Sequence, residues 1–97
     1  MRVEWDPEKD RANRIKHGLG FDEVRVLFES DTDYLVIHDE EHSDDEDRFV
    51  AVGPIARGVV TVAYTEPRED VIRIVSGRMA TRIEEEAFYR RMGGRKR

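Results

Sequence analysis

The sequence predicts an α+β fold, on three observations. A sharply punctuated helix lies near the N-terminus, at Trp5 to Gly18. Several β-rich runs then follow one another through short turns. A second amphipathic stretch closes the chain. Consecutive strands joined by short connections pair antiparallel. The expected layout is therefore a small antiparallel sheet, with two N-terminal helices and one C-terminal helix covering one face.

Each element has its own signal. Residues 2–5 (RVEW) alternate in character and suit a short strand. Asp6 is a good N-cap, Pro7 suits the first helical position, and Gly18 is a natural left-handed stop after His17. Phe21, Val24, Leu27 and Phe28 recur at helical spacing, so 21–29 reads as a second helix. A strand is expected over 33–37, followed by an acidic loop from His38 to Asp47. The runs 49–55 and 59–65 read as strands joined by a turn at Arg57-Gly58. A turn containing Pro67 spans 66–70, and 71–76 reads as a further strand. The closing helix spans 80–92, with Ala80, Ile83, Ala87 and Phe88 on one stripe. Residues 1–92 read as one domain, and 93–97 as a disordered basic tail.

Composition narrows the class. Hydrophobic residues make up 38% of the 97 and charged residues 40%, so the core must be compact. The chain has no cysteine, which excludes disulfides and thiolate metal sites. No run approaches the ~20 apolar residues of a membrane span. Residues 1–20 are charged throughout, unlike a signal peptide. These features suit a cytoplasmic setting. The net charge of −5 is split between an acidic half, −9 over residues 1–50, and a basic half, +4 over residues 51–97. An acidic total argues against strong nucleic-acid binding, while the arginine-rich second half leaves it open.

The first helix is unusually polar. Lys9, Asn13, Lys16 and His17 fall on one helical face, beside a thin edge of Ala12 and Ile15. Two lysines, an amide and an imidazole together favour an anion such as phosphate. A solvated helix with cations at its C-terminal end would show the same spacing.

Val71 to Arg78 (VIRIVSGR) is the second informative stretch. Strict alternation places Arg73 and Arg78 on opposite sheet faces, unless Gly77 marks a bulge that re-aims Arg78. An arginine in such a strand either pairs with a carboxylate, for which Glu84 is the candidate, or presents its fork to phosphate. Arg48 opens a strand. Glu66 and Arg68 sit in a turn, where functional groups concentrate. His38, His42 and the carboxylates of 39–47 match no metal-binding spacing, and no metal or cofactor is expected. Gly-rich phosphate loops and nucleophile elbows are absent from the sequence.

Together these blocks resemble the BrnT toxins of type II toxin–antitoxin pairs. The matching residues are Trp5-Asp6, Lys9, Asn13, Lys16-His17-Gly18, Phe21 and Glu23. They continue with Asp47-Arg48-Phe49, Gly53 and Tyr64-Thr65-Glu66. The last are Ile72-Arg73-Ile74-Val75-Ser76, Arg78, Ala80-Thr81 and Glu84. The resemblance covers residues 3 to about 89. It departs at Gly77, where the family shows Ala, at Pro67 in the turn, and at Phe88, where the family has a tyrosine; Tyr89 points away from the stripe on an ideal helix.

The resemblance implies a RelE-like ribonuclease fold, RNA as substrate and arrest of translation. It also implies a BrnA-type antitoxin as partner, through which the complex reaches DNA. Cleavage without metal uses the 2′-hydroxyl as nucleophile and needs a base, an acid and cations around the phosphate. On that expectation His17, Lys16, Arg73 and Arg78 are catalytic, and Lys9, Asn13, Arg48 and Glu66 contact substrate. The alternative is a non-catalytic partner, a decayed toxin acting only within a DNA-binding repressor complex.

Overall fold

The computed structural model describes residues 1–42 and 46–92. The order is β1 (Arg2–Trp5), α1 (Pro7–His17), α2 (Phe21–Val24), α3 (Val26–Glu29), β2 (Leu35–Asp39), a 3-10 turn (Glu40–His42), β3 (Arg48–Ile55), β4 (Gly58–Arg68), β5 (Val71–Met79) and α4 (Arg82–Arg91). The expected tail at 93–97 and part of the acidic loop, 43–45, lie outside the described residues. No described helix is long and apolar enough to cross a membrane.

One five-stranded sheet has the order β1-β5-β4-β3-β2. Strands β2 to β5 form the expected antiparallel meander. The sheet is nevertheless mixed, because β1 runs parallel to β5, with Arg2 beside Val71 and Trp5 beside Ile74. The expectation of a purely antiparallel sheet fails here. Turn signals report neighbours along the chain, and β1 pairs with a strand that lies far from it in sequence.

The helices divide between the two faces, where one covered face was expected. Leu19, Phe21, Val24, Leu27 and Phe28, from α2, α3 and the loop before them, pack on Ala51, Val60, Val62, Tyr64, Ile72 and Ile74. Phe28, Tyr34, Tyr64 and Phe49 extend this cluster through edge and stacked ring contacts. On the opposite face α4 lays Phe88 on Leu35, Val52 and Val59. Among the described residues α4 covers one end of that face, from Leu35 across Val52 and Val59 to Thr61 and Arg78, and leaves the other end open.

Several element expectations shift. The helix expected over 21–29 is two single turns separated at Arg25, although its four apolar positions are all buried as predicted. The third strand run begins at Arg48, and β2 carries His38 and Asp39, which were expected in the loop. Strand β4 continues through Pro67 to Arg68, with an irregular register between Thr65 and Arg68. Pro67 has no N–H to donate, and such a register break accommodates it. Ile83 is 78% exposed rather than on the packing stripe. The first turn of α4 lies over polar Thr61 and Arg78, so Glu84 turns inward there instead. Tyr89 packs beside Phe88, with ring centroids 5.2 Å apart, rather than pointing away.

Candidate functional site

The first helix forms as its punctuation predicts. The Asp6 carboxylate accepts from the Glu8 N–H at 2.9 Å, and Gly18 stops the helix at φ 66°. Its polar face does not act as one surface. Asn13 is buried, while Lys9 and Lys16 are exposed and His17 is half-buried.

The burial of Asn13 has a geometric cause. Strand β1 covers the β5 edge only as far as Ile74, leaving the backbone beyond it unpaired. The Asn13 amide fills that gap. Its Nδ2 donates to the Gly77 and Leu19 carbonyls, each at 2.8 Å, and its Oδ1 accepts from the Gly77 N–H at 3.1 Å. Asn13, expected to contact substrate, is occupied as a backbone clip. Clipping α1 to β5 holds Lys16 and His17 beside the open face of the sheet.

A bulge decides where the arginines point. Ala63 pairs with Ser76 but Tyr64 pairs with Ile74, so Val75 is an extra residue in β5. Alternation reverses across it. Arg73, Ser76 and Arg78 therefore share the open face with Thr65, Ala63 and Thr61, and the expectation of opposite faces is overturned. The bulge sits at Val75 and not at Gly77.

Sharing a face does not place the two arginines in one cavity. Lys16, His17, Thr61, Ser76, Arg78 and Glu84 line a cavity of about 390 Å³. Arg73 lines a second, of about 640 Å³, with Trp5, Lys9, Arg48 and Thr65. Glu66 joins neither. It lines a recess with Arg68 and Asp70.

In the first cavity Arg78 and Glu84 form a two-pronged pair, with both contacts at 2.8 Å. Glu84 also accepts from the Thr61 hydroxyl and the Thr81 N–H, both at 2.9 Å. The Arg78 bonds, followed by those from Thr81 and Thr61, hold its carboxyl at about 2, well below the usual range. Glu84 is therefore ionised at neutral pH and holds the Arg78 fork by both prongs. Among the described residues, the Lys16 and His17 side chains have no hydrogen-bond or ion-pair partner.

In the second cavity Arg73 donates to Glu4 through Nε at 2.9 Å and its terminal nitrogen at 2.6 Å. Arg68 reaches the other Glu4 oxygen at 3.0 Å. These bonds, the one from Arg73 foremost, lower the Glu4 pKa. Glu4 was missed by the sequence reading. Its only signal was that it is the polar member of an alternating strand, with Val3 and Trp5 packed against the core.

Cations from a helix end and a central strand thus converge on an open, polar sheet face. A fold and site of this kind define a small α+β protein whose open sheet face could receive an extended anion. The sequence profile described as the ribonuclease toxin, BrnT, of type II toxin–antitoxin systems matches residues 5–84. The chain belongs to the BrnT family of ribonuclease toxins. A crystal structure of the Brucella abortus ribonuclease toxin BrnT shares the fold, with TM-score 0.62 and 22% identity, covering 84% of this chain and 99% of that one. No curated protein matches the sequence.

Proposed function

We propose that the chain cleaves RNA without a metal cofactor in the cytoplasm and thereby arrests translation. A BrnA-type antitoxin would neutralise it and provide the complex with its contact to DNA. The observation that carries the reading is the grouping of His17, Lys16 and Arg78 around one cavity on an open face.

Within that cavity the scissile phosphate lies between Lys16 and Arg78. The 2′-hydroxyl loses its proton and attacks phosphorus, the bond to the 5′ oxygen breaks, and that oxygen takes a proton. Imidazole can move a proton in either direction, so His17 serves one of these transfers. Glu84 stays ionised and positions Arg78. Lys16 and the Arg78 fork offset the charge that builds on the phosphoryl oxygens. Arg48, Arg73 and Lys9 lie outside this cavity, on the path of the flanking RNA.

The test is cleavage of a fluorescent oligoribonucleotide in excess EDTA. Wild type should cut at an undiminished rate and His17→Ala at least about 10²-fold more slowly. A His17→Ala protein that cuts at the wild-type rate would remove His17 from the mechanism. Complete loss of wild-type cleavage in EDTA, restored by a divalent ion, would overturn the metal-free reading.

A further inference from the structure

One row of residues crosses all five strands of the sheet. Asp39, Arg48, Thr65, Arg73 and Glu4 stand in register from β2 to β1, on the open face. The pattern is symmetric in charge, with carboxylates outside, arginines within and a threonine at the centre. Arg73 is braced by Glu4.

Thr65 is only 6% exposed, and its hydroxyl is buried without a hydrogen-bond partner among the described residues. Buried hydroxyls in folded proteins are normally satisfied. This one stands in register between Arg48 and Arg73, in a cavity that Lys9 lines as well, together with the carboxylates of Glu4, Asp6 and Glu46. A Thr hydroxyl donates to an acceptor, and Lys9, which has no ion-pair partner among the described residues, favours an anionic one, since Glu4 is held by Arg73 and Arg68 and Asp6 caps the first helix. The acceptor that fits is a phosphate oxygen.

From Thr61 to Thr65 along β4 is about 13 Å, four residues at roughly 3.3 Å each. The small side chains of Ala63 and Ser76 lie between the two rows. One phosphate cannot touch both ends of that span.

We infer that the Arg48–Thr65–Arg73 cavity is a second phosphate subsite, separate from the His17–Arg78 cavity. It binds a non-scissile phosphodiester of the substrate strand and sets which bond of that strand reaches His17. Its identification as an RNA subsite rests on the ribonuclease reading; its anion chemistry does not.

Trp5 is the single tryptophan of the chain and lines this cavity but not the other. Its fluorescence can therefore report occupancy of the subsite alone. The probes are inorganic phosphate and an uncleavable 2′-O-methyl tetranucleotide, titrated against wild type, Thr65→Val and Thr65→Ser. Wild type should respond saturably to both probes. Thr65→Val should bind each about tenfold more weakly, and Thr65→Ser should recover wild-type affinity. Circular dichroism and thermal melting show that each variant is folded.

If Thr65→Val binds both probes as tightly as wild type, the subsite is overturned. No saturable response of wild type to either probe also overturns it. A saturable, Thr65-dependent response to phosphate from a protein that cleaves no RNA would sink the ribonuclease reading and leave the anion site standing. A response to phosphate but not to the tetranucleotide would overturn its assignment to RNA.

Discussion

Asn13 binds both backbone groups of Gly77, donating to its carbonyl at 2.8 Å and accepting from its N–H at 3.1 Å. One side chain thus stands in for a missing strand neighbour where β1 ends. Asn13→Ala would leave that N–H and the Leu19 and Gly77 carbonyls without their partner. We expect a loss of roughly 2–4 kcal/mol, since each buried unsatisfied group costs about 1–3 kcal/mol. Urea unfolding measures this as a lower midpoint. Asn13→Ala with an unchanged midpoint would show that the clip contributes nothing.

Glu84 makes stability depend on acid. Its carboxyl sits at about 2 against an ordinary 4.5. The folded value is the lower one, so the contribution is complete above about pH 4.5 and is lost as the pH falls toward 2. Glu4 and Glu23, also lowered, act in the same direction. Glu84→Gln should lose about 2 kcal/mol at pH 7, a figure discounted for partial solvent screening. Its stability curve should approach that of wild type as the pH falls to 2. Parallel curves across that window would refute the assignment.

Arg78 needs its fork as well as its charge. Arg78→Lys keeps the cation but cannot meet two carboxylate oxygens at once. We expect kcat to fall about 10²-fold in Arg78→Ala, the usual size for loss of one charge-stabilising group, and by a smaller factor in Arg78→Lys. Glu84→Gln should slow the reaction too, through misplacement of Arg78. Single-turnover cleavage separates these effects from RNA binding, and a normal rate for Arg78→Ala would assign the residue to structure.

Thr65→Val should stabilise the free protein. The change keeps the shape and removes a hydroxyl that has no described partner, so the gain is about 1 kcal/mol. The same variant should bind phosphate more weakly. A structural role for the hydroxyl predicts the opposite sign in thermal melting.

Gly77→Ala should be tolerated. A Cβ there would meet Val24 at 3.4 Å, ordinary contact, and no backbone strain opposes it. Replacing a strand glycine should add about 0.5 kcal/mol. Strong destabilisation would mean that the clip from Asn13 requires glycine.

The reach of the sequence differs from element to element. Asp6, Pro7 and Gly18 bounded α1 correctly, because caps and left-handed stops are local chemistry. The buried set of Phe21, Val24, Leu27 and Phe28 was equally legible from its period, even though the helix carrying it is interrupted. The meander from β2 to β5 followed from short turns. Glu84 was legible as an arginine's partner from its place on α4. The role of Asn13 was not, since spacing shows which residues share a helix face but not what that face meets.

Local pattern therefore determined the α+β class, most strand positions and the cationic character of α1 and β5. Tertiary structure decided the parallel seat of β1, the split of helices between two faces, and the bulge at Val75. That one extra residue reverses the alternation and turns Arg73 and Arg78 to the same side. A bulge depends on how two strands settle against each other, and the period of a single strand contains no trace of it. Nor could the sequence show that Arg73 and Arg78 line different cavities, because the lining of each comes from neighbouring strands and from α1 and α4, whose register and packing only the tertiary structure sets.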